Sequence, residues 1–358
     1  MQVGLKALEE LVTGILLQEG FSEKEIELTL PVLMYAQCRG NNQGVVKLTG
    51  KGLSRPPSDG LVKTVFETPV SQVIDGGQHL GMVVMQEATS RAIEKASGLG
   101  VSFIATRNTA SSTGAIGFYA KKMAEAGLIG MVFSGSFPAV APAGAKEPLF
   151  GTNPIAIGIP SDAGPIVLDM ATASMAWFGV MESLLAGAPL PPGIAINPAG
   201  EETLDPESAL KGAILPFGNH KGSGLSFMIE VLTGPLIGAS FLGLGKGDWG
   251  NLILCFHPRL FGDPQTFIQS MNAFVARVKS AEKMPGLEEI FLPGERGNRM
   301  AAQAATSGVL EIEDKLYHAL LAKKGAKGVR RKAIAFRLTP FALCLKINRP
   351  VPALFPAS

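Results

Sequence analysis

Residues 101–133 read VSFIATRNTASSTGAIGFYAKKMAEAGLIGMVF, and the hydrophobic spacing changes twice along this stretch. Residues 101–105 are an apolar run of strand length, whereas Ile116, Tyr119 and Met123 within 114–126 fall at helical spacing, and 129–133 is a second strand-length run. Gly127 stands where a helix closes in a left-handed cap. Strand, loop, helix and strand in succession predict an α/β architecture, and the further runs at 155–159, 166–168 and 252–256 extend it to a mixed sheet with helices packed on it. Upstream, Leu80, Val83, Val84 and Ala88 predict an amphipathic helix ending near Gly98, with Glu87 and Arg91 one turn apart on its surface. Two helices open the chain: residues 5–17, stopped at Gly20, and one begun by Ser22 with Glu25 three residues on, a capping-box pattern in which Pro31 is a candidate kink. The polar run 39–44 and the Pro/Ser/Gly cluster 54–60 read as loops.

A chain of 358 residues with 46% hydrophobic composition can bury one large core or two ordinary ones. Its 32 basic and 30 acidic side chains nearly cancel, which removes the electrostatic case for nucleic acid or an anionic membrane and favours a small-molecule ligand. Cys38, Cys255 and Cys344 are far apart and form no CxxC, so neither a disulfide framework nor a metal site is expected, and a reducing, cytoplasmic setting fits. The opening twenty residues carry Lys6, Glu9 and Glu10 and do not read as a targeting segment. The longest apolar region, 224–245, contains Glu230 and many glycines, and is expected to be buried core rather than a membrane span. Residues 329–358 hold six basic and no acidic side chains without a sustained period, and read as an atypical basic tail.

Among motifs, Gly245, Gly247 and Gly250 match the dinucleotide fingerprint formally, but they precede a strand and open no helix, so they read as a turn. Metalloprotease, serine-hydrolase and P-loop patterns are absent. Residues 219–224, NHKGSG, run directly into the helical pattern of Leu225, Met228, Ile229 and Leu232; free N–H groups and Lys221 there would suit a phosphate, against the plainer reading of a glycine-rich helix start. Asp169 closes the run 166–168 and is either an acceptor for ribose hydroxyls or a cap of the next helix. Thr152, in the run GTNP at 151–154, lies in a turn before a strand.

In order and spacing, the Arg39–Gly40 turn, Arg107 and Asn108, the 114–126 helix, GTNP at 151–154, DMAT at 169–172, HKG at 220–222, GDP at 262–264 and LPGE at 292–295 resemble the malate/L-lactate dehydrogenase family. That resemblance reaches from the first helix to about Lys323 and implies a non-Rossmann α/β fold with a mixed sheet and a helical N-terminal portion, a homodimer, and NAD or NADP as cofactor. It implies hydride transfer between the nicotinamide and a 2-hydroxy/2-oxo acid or related imine. On the same basis, residues 1–100 are expected to form the helix-rich part of a substrate and dimerisation region. Residues 101–244 would form the cofactor region, 245–325 a return to the first region, and 326–358 the tail. Thr152, Asp169, Met170, Ala171, His220, Lys221 and Gly222 are the expected cofactor-site residues.

The chain departs from the family at the reacting centre. The family histidine after Arg-Asn is missing; Ser111 or Ser112 occupies its neighbourhood. Asn42, Gln43 and Gly44 replace a Ser-His-Gly signature, and Lys47 stands near a family arginine. Reduction of a carbonyl needs a proton as well as a hydride, and serine alone is a poor acid. Lys221 or Lys47 is therefore the expected acid/base, Lys47 also suiting a substrate carboxylate, unless either is simply a surface lysine. An active enzyme with a reshaped site and a non-catalytic, cofactor-binding relative both remain open on the sequence.

Overall fold

The protein's computed structural model describes residues 1–49, 52–53, 60–245 and 247–325; the expected tail, with Cys344, lies outside the described residues. The chain opens with strand β1 (Gln2–Gly4) and helices α1 (Leu5–Gln18) and α2 (Glu23–Gln37). Ser22 and Glu25 form the capping box, and the helix continues through Pro31. There follow β2 (Lys63–Glu67), β3 (Ser71–Asp75), α3 (Gly81–Leu99), β4 (Val101–Arg107), α4 (Gly117–Glu125) and β5 (Ile129–Ser134). Next come β6 (Ile155–Ile159), β7 (Ile166–Met170), α5 (Trp177–Ala186), β8 (Ala195–Ile196), α6 (Pro206–Lys211), β9 (Ala213–Ile214) and α7 (His220–Thr233). The described chain closes with β10 (Asn251–Phe256), α8 (Pro264–Lys279), α9 (Glu295–Ser307), β11 (Val309–Glu311) and α10 (Asp314–Gly325).

Seven strands form one mixed sheet in the order β2-β3-β4-β10-β5-β6-β7. β10 runs antiparallel to both β4 and β5, so Ile253 pairs with Ile104 on one side and Val132 on the other. These three side chains are fully buried on the face covered by α1 to α4. The neighbouring residues Leu252, Ala105 and Phe133 point the opposite way, against Ile229 of α7. The two-residue alternation of a strand thus feeds two cores from one sheet. A smaller core of Val140, Phe150, Val180 and Ile214 supports the β8–β9 segment. Among the described residues no helix is long and apolar enough to cross a membrane.

Several expectations change. The hairpin β2–β3 at the sheet edge was not expected from the sequence; four of the five β2 residues are exposed, so no half-buried alternation marks it. β7 continues through Asp169 and Met170 because β6 pairs with both, so Asp169 lies within the strand rather than at its end. The 114–126 helix starts only at Gly117, after Gly114 takes a φ of 78°. The 224–245 region is not uniformly buried: Ile229 and Thr233 face inward, while Phe227, Met228, Val231 and Leu236 face out. Gly245 and Gly247 take φ of 103° and 75° ahead of β10 and open no helix there.

Candidate active site

A cavity of about 750 Å³ opens between the α2 end, the first turn of α4, strand β7 and the start of α9. This volume lies within the usual range for small-molecule sites. Thr152, Asp169, Met170 and Ala171 line it, together with Asn42, Gln43, Gly114 and Ala115. Three sequence motifs are sewn together behind this wall. The Thr172 backbone N–H donates to Thr152 O at 3.0 Å, and the Phe217 N–H donates to Thr172 O at 3.0 Å. Gly222 packs so closely on Phe217 and Thr172 that a Cβ there would collide with their carbonyl oxygens. Asn153, fully buried, donates to Glu230 Oε2 at 2.6 Å, and Glu230 Oε1 accepts the Leu242 N–H at 2.8 Å, so α7's one buried carboxylate fixes the GTNP turn.

Asp169 caps a helix, though not the one that follows it. Its Oδ2 accepts the Gly117 N–H at 2.9 Å, at the first turn of α4, where the missing Gly117 side chain leaves room for the carboxylate. Burial pushes its titration up to about 6, and the Gly117 hydrogen bond opposes that rise. Oδ1 makes no hydrogen bond among the described residues, which leaves an acceptor for a ligand hydroxyl in the cavity wall.

Lys47 is not a surface lysine. It sits in the 3-10 turn Val45–Leu48, is 0% exposed, and forms no ion pair among the described residues. Its Nζ donates to Ser112 Oγ at 2.7 Å and lies 3.8 Å from the centre of the Phe178 ring. Burial drives its titration well below the ordinary lysine range. The two candidate serines part company here. Ser111 Oγ accepts the Gly81 N–H at 3.2 Å and so caps the start of α3, while Ser112 Oγ takes both Lys47 and the Gly114 N–H, the latter at 3.2 Å. Gly114 lines the cavity; Ser112 and Lys47 stand immediately behind it.

The serine loop is held from its other end by Asn108, whose φ is 57°. The Asn108 N–H donates to Asp248 Oδ2 at 2.7 Å, and its amide donates to Asp75 Oδ1 at 2.6 Å. Four hydrogen bonds converging on one left-handed residue fix where the following loop must go.

His220 and Lys221 begin α7, as the helix-start reading expected, but both are exposed and neither is in the cavity wall. The N–H groups expected to be free are largely used: those of Lys221, Gly222 and Ser223 donate to the carbonyls of Gly218, Phe217 and Asn219. An anion at this helix start would therefore rely on the Lys221 side chain, with open space over Gly224. Sequence reasoning missed Arg39, Arg296 and Asn298 as lining residues. Arg39 donates to Asn298 Oδ1 at 3.0 Å across 259 residues of sequence, a proximity that no local pattern signals.

The family profile described as malate/L-lactate dehydrogenase matches residues 3–321. The malate/(S)-sulfolactate dehydrogenase of Methanothermus fervidus is 34% identical over 323 residues, covering 87% of this chain and 93% of its own length. The ureidoglycolate dehydrogenase (NAD(+)) of Escherichia coli O157:H7 is 29% identical over 340 residues, covering 90% of this chain and 95% of its own length. The solved structure of the sulfolactate dehydrogenase from Methanocaldococcus jannaschii superposes with a TM-score of 0.76 at 32% identity, over 91% of this chain and 97% of that one. With its sheet, its motif order and nearly its whole described length in agreement, the chain belongs to the malate/L-lactate dehydrogenase family.

Proposed function

We propose that the protein is an NAD(P)-dependent oxidoreductase of a small 2-hydroxy/2-oxo acid or related cyclic imine, and that Ser112 backed by Lys47 moves the proton. A nicotinamide would supply or accept the hydride. The observation that carries the proton assignment is the 2.7 Å hydrogen bond from Lys47 Nζ to Ser112 Oγ, directly behind the cavity wall at Gly114. A lysine whose amine is readily neutral can accept the serine proton, which a fully charged lysine cannot. In oxidation, the alcohol carbon gives up hydride, its hydroxyl proton passes to Ser112, and Ser112 passes its own to the neutral Lys47 amine, which releases it to solvent; reduction starts from Lys47 recharged to the ammonium by a solvent proton. Lys47 is sealed by Phe178 and acts through Ser112, so its role is to set the serine's proton affinity.

Asp169 fits a nicotinamide dinucleotide on the ground of its unbonded Oδ1, which would accept a ribose hydroxyl, with Thr152, Met170 and Ala171 forming the adjoining wall. His220, Lys221 and Gly222 would lie beside the phosphates, Lys221 supplying the charge. We also infer a homodimer. Phe227, Met228, Val231 and Leu236 form an exposed apolar face beside the sheet, and not one residue of α8 is buried although Phe267, Ile268, Met271 and Val275 recur at helical spacing. A single chain leaves these faces in water, and a second copy would cover them.

Steady-state turnover of NADH and NADPH with a panel of 2-oxo acids and cyclic imines tests the proton assignment. Ser112→Ala and Lys47→Met are expected to cost on the order of a hundredfold or more in kcat with cofactor affinity kept. Lys47→Met should also remove one limb of the pH profile. Wild-type cofactor binding with no turnover across the panel would leave the non-catalytic reading instead.

A further inference from the structure

One side of the cavity carries positive charge that the reacting centre does not use. Arg39 stacks its guanidinium 3.8 Å from the Tyr35 ring centre, donates through one terminal nitrogen to the Tyr35 carbonyl at 3.2 Å, and through the other to Asn298 Oδ1 at 3.0 Å. Gly297 presses on its stem: a Cβ there would stand 3.2 Å from the Arg39 Cβ. The fork is thus fixed in plane, and of its five N–H groups two are used, which leaves three for a ligand.

Arg296 lines the same side. Its sequence neighbour Glu295 is already engaged, paired with Lys279 at 2.5 Å, and Glu289 pairs with Arg299 at 2.7 Å. Neither Arg39 nor Arg296 forms an ion pair among the described residues, and Asp169 is the one carboxylate among the described lining residues. Two unpaired guanidiniums in one concave wall, one of them locked by stacking, suit an oxyanion that accepts hydrogen bonds from a planar fork.

We propose that Arg39 and Arg296 form an anion subsite of this cavity, which takes a phosphate-type or carboxylate-type group of the ligand. The identity of that ligand rests on the redox reading above, and two sources share the chemistry: the extra phosphate of NADP, or the second acid group of a two-acid substrate. Asp169, on β7, remains the acceptor for hydroxyls, so two parts of the one cavity wall ask for opposite chemistry.

Calorimetric titration of the full chain and of Arg296→Ala and Arg39→Lys decides it, with circular dichroism confirming that each variant folds. Arg296 is exposed and its removal empties no core, while Arg39→Lys keeps the charge and loses the fork. If the group is the cofactor phosphate, NADPH affinity falls on the order of tenfold in both variants while NADH affinity holds. If it belongs to the substrate, malate weakens relative to L-lactate by a similar factor and both dinucleotides hold. Inorganic phosphate, titrated into the free protein, reads the subsite without any cofactor. Its arginine-dependent binding to a protein that binds neither dinucleotide would keep the subsite and remove the redox reading. Unchanged affinities for NADPH, malate and phosphate in both variants would overturn the proposal.

Discussion

Replacing Lys47 with methionine exchanges a sealed amine for an apolar chain of similar length, and the structure fixes how stability must respond to pH. Lys47 is 0% exposed, has one hydrogen bond to Ser112 and one ring contact to Phe178, and burial holds its titration well below the ordinary range. The ring contact and the hydrogen bond together offer about 1 to 3 kcal/mol. The cost of stripping water from an unpaired ammonium exceeds that, so the folded state sheds the proton and the unfolded chain keeps it. While the unfolded chain binds more protons, stability rises with pH, by about 1.4 kcal/mol for each pH unit between the lowered folded-state titration and the unfolded value near 10.4. Denaturant unfolding of wild type between about pH 9 and 10 should therefore show a gain of about 1.4 kcal/mol that Lys47→Met lacks, the difference between the two cancelling every other group. Below that window the variant should be the more stable protein. Parallel pH dependences would refute the reasoning, since they would mean that the folded protein keeps Lys47 charged and that Ser112 faces a cation rather than a base.

Asp169 carries the opposite sign, because its raised titration favours the protonated acid in the folded protein. Stability attributable to it is full below about pH 4 and is lost as pH rises towards about 6, so Asp169→Asn should be more stable near neutrality by on the order of 1 to 3 kcal/mol. The same variant should flatten a rise of dinucleotide affinity through about pH 6; a rise that persists in the variant places the titrating group elsewhere. Phe227→Glu, at a side chain 52% exposed on the outer face of α7, should convert a dimer to a monomer in light scattering with the circular dichroism spectrum unchanged. A wild-type monomer, or a dimer that survives the change, would remove α7 from the interface.

What the sequence made legible tracks how local each feature is. β4, α4 and β5 were readable because each shows its period within its own residues. β7 ran past its expected end because strand length there is set by pairing with β6, not by composition. The β2–β3 hairpin gave no signal because β2 buries almost nothing. At the site, Thr152, Asp169, Met170 and Ala171, picked out by the order of short runs, line the cavity, whereas His220, Lys221 and Gly222 do not. Lys47 is different in kind: nothing near it in sequence says that Phe178 and Ser112 will cover it. Nor could any window of the chain separate Ser111, committed to α3, from Ser112, committed to Lys47. Arg39 and Arg296 needed the packing of α9's first turn on the end of α2 before either could line the cavity.

The position of β10 bears on how the protein is made. This strand sits between β4 and β5, matched to both over Asn251–Phe256, yet it is the last of the seven strands to leave the ribosome. Until residue 256 emerges, β4 and β5 each present an unsatisfied ladder edge, and the nascent chain must hold those edges apart without letting them pair with each other or with a neighbouring polypeptide. A chain ending anywhere before Asn251 lacks the strand that joins β4 to β5, and its two open edges are expected to favour aggregation.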